Sequence, residues 1–419
     1  MSWFSRFQAA IDGVSGLGAG FLRAKGGLKA RLQLVLASPA GQRDAMAVLR
    51  FAKPHLHLKQ NLIACYEADG TLLLTRAADF HAVIERQADF EVVYGTRMRM
   101  LTGGRDFFLG MQDGSAYRRD TDAMRAIVKA DDLLPVMEMA RAEAAAALSG
   151  GSIDLPPQLS ARIPALMVQQ YFGVQMETEH LIADATVMFH FLFSDLQADP
   201  KVMEAAMAAK DRVNAAIDLS ALTAGPETLL GRAVAAGKVG NAAFDADGIR
   251  ANIIGILIGA IPTLSKASCL AVEELLRRPS ELAKARALAA AGNEAGVADY
   301  LWEALRFSPV NPILYRRAAK ATTIGDTAVD AGTMVLAANL SAMFDEAVVP
   351  HPSRFTAGRP WNVYALWGEG LHLCWGDRIN KAILPAMLTP LLAKSGLKQV
   401  AAPDGEGTPF PRHYRLQFK

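Results

Sequence analysis

The stretch Trp367-Gly368-Glu369-Gly370-Leu371-His372-Leu373-Cys374-Trp375-Gly376 constrains this chain more than any other. Glycines crowded around one cysteine disfavour both helix and strand and specify a loop. Without Cβ atoms, Gly368, Gly370 and Gly376 let backbone approach a flat partner closely and aim amide N–H groups at a sulfur. An apolar segment with helical spacing follows from about Arg378 to Leu392, with a kink expected at Pro385. A cysteine presented in this way can act as a thiolate ligand whose electron donation the surrounding amide donors tune.

A second element lies upstream, where Tyr300-Leu301-Trp302-Glu303-Ala304-Leu305-Arg306 places a carboxylate and a guanidinium on one helix face. Glu303 and Arg306 can form a bidentate pair there. Pro352-Ser353-Arg354-Phe355 and Arg359-Pro360 come between the two elements, and Arg359 is positioned to complete the charge cluster. In this order the pieces resemble the cytochrome P450 family. Gly368-x-Gly370-x-His372-x-Cys374-x-Gly376 is similar to its heme-binding signature, with Trp367 where phenylalanine is usual and Asn380 where a small residue is usual. The likeness runs over roughly residues 240–385.

The resemblance implies a mainly α fold. The chain is expected to form a single domain over residues 1–419, β-rich over about 30–110 and helical and heme-binding over about 111–419. Heme b would lie between the long central helix and the Cys374 loop. Composition agrees with one large apolar core: the 419 residues are 51% hydrophobic, the mean hydropathy is +0.15, and no linker or charge run divides the chain. A net charge of only +2 argues against nucleic acid as a partner. Cys65, Cys269 and Cys374 are too scattered for a disulfide framework or a zinc site and suit a reducing cytoplasm. The N-terminus lacks the order of a secretory signal. The longest uncharged apolar run, Ala251 to Leu264, carries Asn252 and Pro262 and is flanked by Arg250 and Lys266, so a buried helix is expected rather than a membrane span.

Along the chain, Leu62–Glu67 and Thr71–Thr75 read as two strands joined by a tight Asp69-Gly70 turn. A helix is expected over 77–86, then a Gly-rich aromatic stretch from Tyr94 to Gly114 without clear periodicity. Several packed helices are expected from Asp120 to about Thr228, where His190 reads as a satisfied core histidine. The long helix is placed over roughly 247–278, ended by Pro279.

In the family the middle of that helix usually carries an acid followed by threonine, a pair that delivers protons to iron-bound dioxygen. This chain has Pro262-Thr263. Proline removes one N–H and pushes away the Ile258 carbonyl, so a widened groove is expected, and proton delivery falls to Thr263, Ser265 or water.

The resemblance thus implies a heme-thiolate monooxygenase that inserts one oxygen atom of O2 into a hydrophobic small molecule, using electrons from a ferredoxin-like or flavoprotein donor. A peroxygenase or hydroperoxide-rearranging enzyme, and a non-catalytic heme-binding sensor, are the alternatives. By family position Cys374 is the iron ligand, His372 and Arg316 bind heme propionates, and Tyr117 with Arg118 or Arg119 stands where a histidine and an arginine usually do the same. Arg317 could exchange roles with Arg316. Thr263 and Pro262 are the distal residues, and Glu303, Arg306 and Arg359 are structural. Met98, Phe107, Ile258, Gly259, Val310 and Ile313 are candidate pocket residues, with the Thr408-Pro409-Phe410 turn nearby. Arg378 and Lys381 are candidates for docking the electron donor.

Overall fold

A computed structural model of the chain describes residues 3–129 and 131–419, and most of them are helical. Two compact units are built from interleaved pieces of sequence: the residues up to Glu91 with Trp302–Cys374, and Val92–Leu301 with Trp375–Lys419.

The first unit is organised by a five-stranded sheet in the order His55–Leu58, Thr71–Leu74, Met334–Ala337, Leu314–Ala318, Phe90–Glu91. Thr71–Leu74 pairs antiparallel with His55–Leu58 and parallel with Met334–Ala337. Leu72 and Leu74 share a strand face by their period of two, and both are fully buried. Onto the sheet the helix Ala77–Glu85 lays Ala77, Phe80, Val83 and Ile84, spaced as one apolar face requires. The helix start is capped from far away in sequence, since Ala77 N–H donates to Asp345 Oδ2 at 2.9 Å.

The strand partner differs from the sequence expectation. Residues 62–67 form a turn in which Tyr66 N–H donates to Ile63 O, and Thr71–Leu74 takes His55–Leu58 instead. Asp69 N–H donates to Gly332 O, so the Asp69-Gly70 pair serves the approach of the distant Met334–Ala337 strand rather than a local hairpin. The β-rich region expected over 30–110 is also differently composed. Helices Leu28–Ala37 and Pro39–Ala52 open it, and two strands of its sheet come from residues 314–337.

The second unit is built around the helix Ala246–Leu276, one residue from the expected start. Asp245 caps it by accepting from Gly248 N–H at 2.7 Å. By length and composition this helix could cross a membrane, but 72% of its apolar window is buried among the chain's own residues, which makes it a core helix. Thr178–Phe189 and Pro200–Ala221 pack on it. Tyr94–Gly114 contains a short helix, Gly95–Leu101, and a single turn at Phe108–Gly110. The helix after the cysteine loop runs over Asp377–Leu392 as one element that includes Pro385 and Pro390.

Because Phe80 is fully buried against the sheet, Phe80→Ala should lower the unfolding free energy by about 3–5 kcal/mol, measured by denaturant titration.

Candidate functional site

In the first unit the site begins at a buried carboxylate. Glu303 and Arg306, both wholly inaccessible, form a bidentate pair with N···O distances of 2.8 and 2.9 Å. Arg359 Nε reaches Glu303 Oε1 at 3.2 Å, and Thr356 N–H donates to the same oxygen at 2.8 Å. Tyr364 OH donates to Oε2 at 3.4 Å, and burial beside this carboxylate pushes the phenol above its ordinary pKa. The arginines spend their remaining donors on backbone carbonyls. Arg306 holds Met343 O and Pro352 O, and Arg359 holds Pro350 O, His351 O and Arg354 O. The irregular segment between 350 and 360 is thereby fixed from inside by charge-assisted hydrogen bonds.

Trp302, the neighbour of Glu303, carries this rigidity to the loop. Its ring packs edge-on against Trp367 at 5.4 Å, and Trp361 stacks on Trp367 at 5.2 Å. Trp367 stands where the resembled signature usually has phenylalanine, and the tryptophan cluster gives its indole a place to pack. From there the loop closes on itself, with Cys374 N–H donating to Trp367 O at 3.0 Å and Leu373 N–H to Gly370 O at 3.2 Å. Gly368 and Gly370 have φ of +70° and +66°, a region L side chains rarely adopt. Gly376 has an ordinary negative φ and precedes the helix Asp377–Leu392. A tie that the sequence reading did not find anchors the other side: His81 Nδ1 lies 2.7 Å from Glu369 Oε2. The Glu369 hydrogen bond, followed by its charge, raises the His81 pKa against the opposing effect of burial.

Arg316 is buried in the middle of the sheet, opposite Val335. Arg317 faces its strand partner Glu91 with an N···O distance of 2.7 Å, whereas Arg316 Nη1 donates to Tyr315 O at 2.9 Å. His372, Cys374, Val310 and Ile313 are each half-buried.

In the second unit the long helix runs unbroken through Pro262. Thr263 Oγ1 donates to the Gly259 carbonyl, a back-bond along the helix. A Cβ at Gly255 would fall 2.5 Å from the Phe107 ring, so glycine is required there. One turn on, a Cβ at Gly259 would meet nothing within 4 Å. Met98, Phe107 and Ile258 are buried. Tyr117 is buried, whereas Arg118 is exposed and paired with Asp113 at 2.9 Å; Arg119 pairs with Asp120. Lys381 pairs with Asp377 at 3.2 Å, and Arg378 is exposed. His190 departs from expectation, since its Nδ1 is buried without a hydrogen-bond partner.

Among the described residues no group of three His, Cys, Asp or Glu side chains could hold an ion by itself. Burial pushes the Cys269 thiol up to about 12, which makes it inert, while Cys374 stands half-buried on a loop of left-handed glycines.

Comparison with known proteins agrees with this picture. Residues 297–394 match the family model for cytochrome P450. Cytochrome P450 137 of Mycobacterium tuberculosis is 32% identical over 166 residues, 38% of this chain and 34% of that one. The nocardicin C N-oxygenase of Nocardia uniformis is 28% identical over 61% of this chain and 63% of its own length. The chain thus spans about a third of the first relative and less than two thirds of the second. Among solved structures, cytochrome P450 EryK from S. erythraea superimposes with a TM-score of 0.73 at 19% identity, covering 90% of this chain and 95% of that one. CYP108D1 from Novosphingobium aromaticivorans gives 0.68 at 18% identity, covering 92% and 97%.

Two outcomes follow. Arg306→Leu strands a buried carboxylate and should cost on the order of 3–5 kcal/mol in denaturant titrations. The His81–Glu369 pair contributes most when the imidazole is protonated. Its stabilisation should therefore be complete below about pH 6.5 and fade as pH rises through the raised His81 pKa. The stability difference between the parent protein and His81→Ala, followed across a pH series, should shrink in the same direction.

Proposed function

We propose that the chain is a cytochrome P450 acting as a heme-thiolate monooxygenase that inserts one oxygen atom of O2 into a hydrophobic small molecule, a reading supported by the family-model match over residues 297–394 and by the shared fold. The observation that carries this reading is the glycine loop that presents Cys374, held from behind by Trp302 and the Glu303 cluster. Heme b bound there would supply an iron centre that activates dioxygen. A thiolate at Cys374 would be its protein ligand.

The roles of the other residues rest on the family reading and on their surroundings. His372 and Arg316 are the proposed propionate partners, since a guanidinium fork matches a carboxylate and Arg317 is already engaged by Glu91. Tyr117 is a further donor of the same kind. Arg118 would first have to leave Asp113. Thr263 is the proposed proton carrier. Its hydroxyl donates to Gly259 O, which leaves its own oxygen free to accept a hydrogen bond from water. Pro262 has no N–H to contribute. Electrons are proposed to come from a ferredoxin-like or flavoprotein donor, with exposed Arg378 offering positive charge to an acidic partner. Three cysteines scattered along the sequence suit a reducing cytoplasm.

The reduced protein with carbon monoxide should show the Soret shift typical of thiolate ligation, and Cys374→Ser should abolish it. A panel of hydrophobic substrates should give oxygenated product with a reductase system and O2. Product formed with peroxide alone, and none with the reductase system, would overturn the assignment of the oxidant.

A further inference from the structure

Charge is scarce on the buried part of the long helix, yet Lys266 sits there one turn beyond Thr263. Gly259, Ala260, Thr263 and Lys266 follow helical spacing and form one stripe. Each keeps part of its surface, while Ile261, Pro262, Leu264, Ser265 and Ala267 are buried. Open space beside Gly259 lies at the other end of the stripe. Among the described residues Lys266 makes no ion pair and no hydrogen bond. Its ammonium rests against the Phe410 ring, 5.4 Å from the centroid. Burial, with no anion to oppose it, lowers its pKa to about 8.

The same Phe410 ring is met by a second polar group whose hydrogen-bonding capacity is unused. The His190 ring packs edge-on against it at 6.3 Å, and the buried His190 Nδ1 has no hydrogen-bond partner. Phe189 touches Phe410 at 5.4 Å and continues through Phe193, at 4.5 Å, into an aromatic wall. A stranded ammonium is costly to keep in a core, and a stranded imidazole nitrogen adds to the cost. A ligand that brings an anionic head to Lys266 and an apolar body to the stripe and the aromatic wall removes both costs. Burial holds His190 below its ordinary pKa against the charges of Asp195 and Asp199, and Arg97 beside it is paired with Asp195, so Lys266 is the one uncompensated positive charge against the Phe410 ring among the described residues. That balance suits a monoanionic carboxylate better than a doubly charged phosphate.

We propose that Lys266 and His190 together receive the carboxylate of an amphiphilic carboxylic acid whose hydrocarbon part lies along the Gly259–Thr263 stripe. This rests on the monooxygenase reading and names its substrate class. The carboxylate fixes one end of the molecule, and the oxidised carbon is set by its distance from that anchor. Thr263 lies roughly 4.5 Å along the helix axis from Lys266, and Gly259 roughly 10 Å.

The test measures dissociation constants of the holoprotein for dodecanoate and dodecan-1-ol by calorimetry, and uses their ratio so that any general loss of stability cancels. The parent protein should prefer dodecanoate by about tenfold or more. Lys266→Met should bring the ratio close to one, Lys266→Arg should preserve most of it, and His190→Phe should reduce it severalfold. An equal affinity for acid and alcohol in the parent protein, or an acid preference that survives in Lys266→Met, overturns the proposal. The carbon monoxide spectrum is recorded on each preparation. A thiolate-type Soret band with no carboxylate preference defeats this inference alone, and loss of that band from the parent protein defeats the monooxygenase reading and this inference with it.

Discussion

The carboxylate of Glu303 is the point on which the cysteine-bearing unit depends. Arg306, Arg359, Thr356 and Tyr364 converge on it, so that a charge buried from water is met on every side by donors. A partly satisfied version of this network would be worse than an apolar core, because each unpaired member keeps its desolvation cost. The arginines extend the arrangement outward to the carbonyls of Met343 and residues 350–354, and Trp302 extends it to Trp367. A loop rich in glycine has many conformations to lose. It holds Cys374 in one place because its entry is clamped by tryptophans and its middle by His81.

The other unit solves a different problem. Its long helix is apolar enough to serve as a core element and still carries Thr263 and Lys266 among its partly exposed positions. Phe107 packs so closely at Gly255 that no side chain fits there, whereas one turn later the space beside Gly259 is open. Proline at 262 interrupts the ladder of backbone hydrogen bonds, and the Thr263 hydroxyl turns back onto the Gly259 carbonyl within the same turn. Thr263 and Lys266 belong to a row of partly exposed residues that includes Gly259, while Ile261, Pro262, Leu264 and Ser265 are buried.

Where covalent geometry or charge leaves few choices, the sequence was legible. Glycines around Cys374, a carboxylate and a guanidinium one turn apart at 303 and 306, and an apolar run from 247 ended by Pro279 each point to one local structure. The Asp69-Gly70 pair misled because a turn signal reports only its neighbours. The strand beside Thr71–Leu74 was chosen by a sheet that also contains Met334–Ala337. His81 and Glu369 lie 288 residues apart, and neither stands in a pattern that announces the other. Lys266 did carry a signal, a charge within an apolar helix, but its lack of a partner is a property of the folded core alone.

The interleaving of the two units has a temporal side. Ser341 Oγ donates to the carbonyl of Thr75, 266 residues earlier, and the strands around it pair over comparable separations. At translation rates of roughly 5–20 residues per second, the early strands wait on the order of ten to fifty seconds for the segment that completes their sheet. The nascent chain emerges with an unfinished sheet edge that must avoid other chains until then.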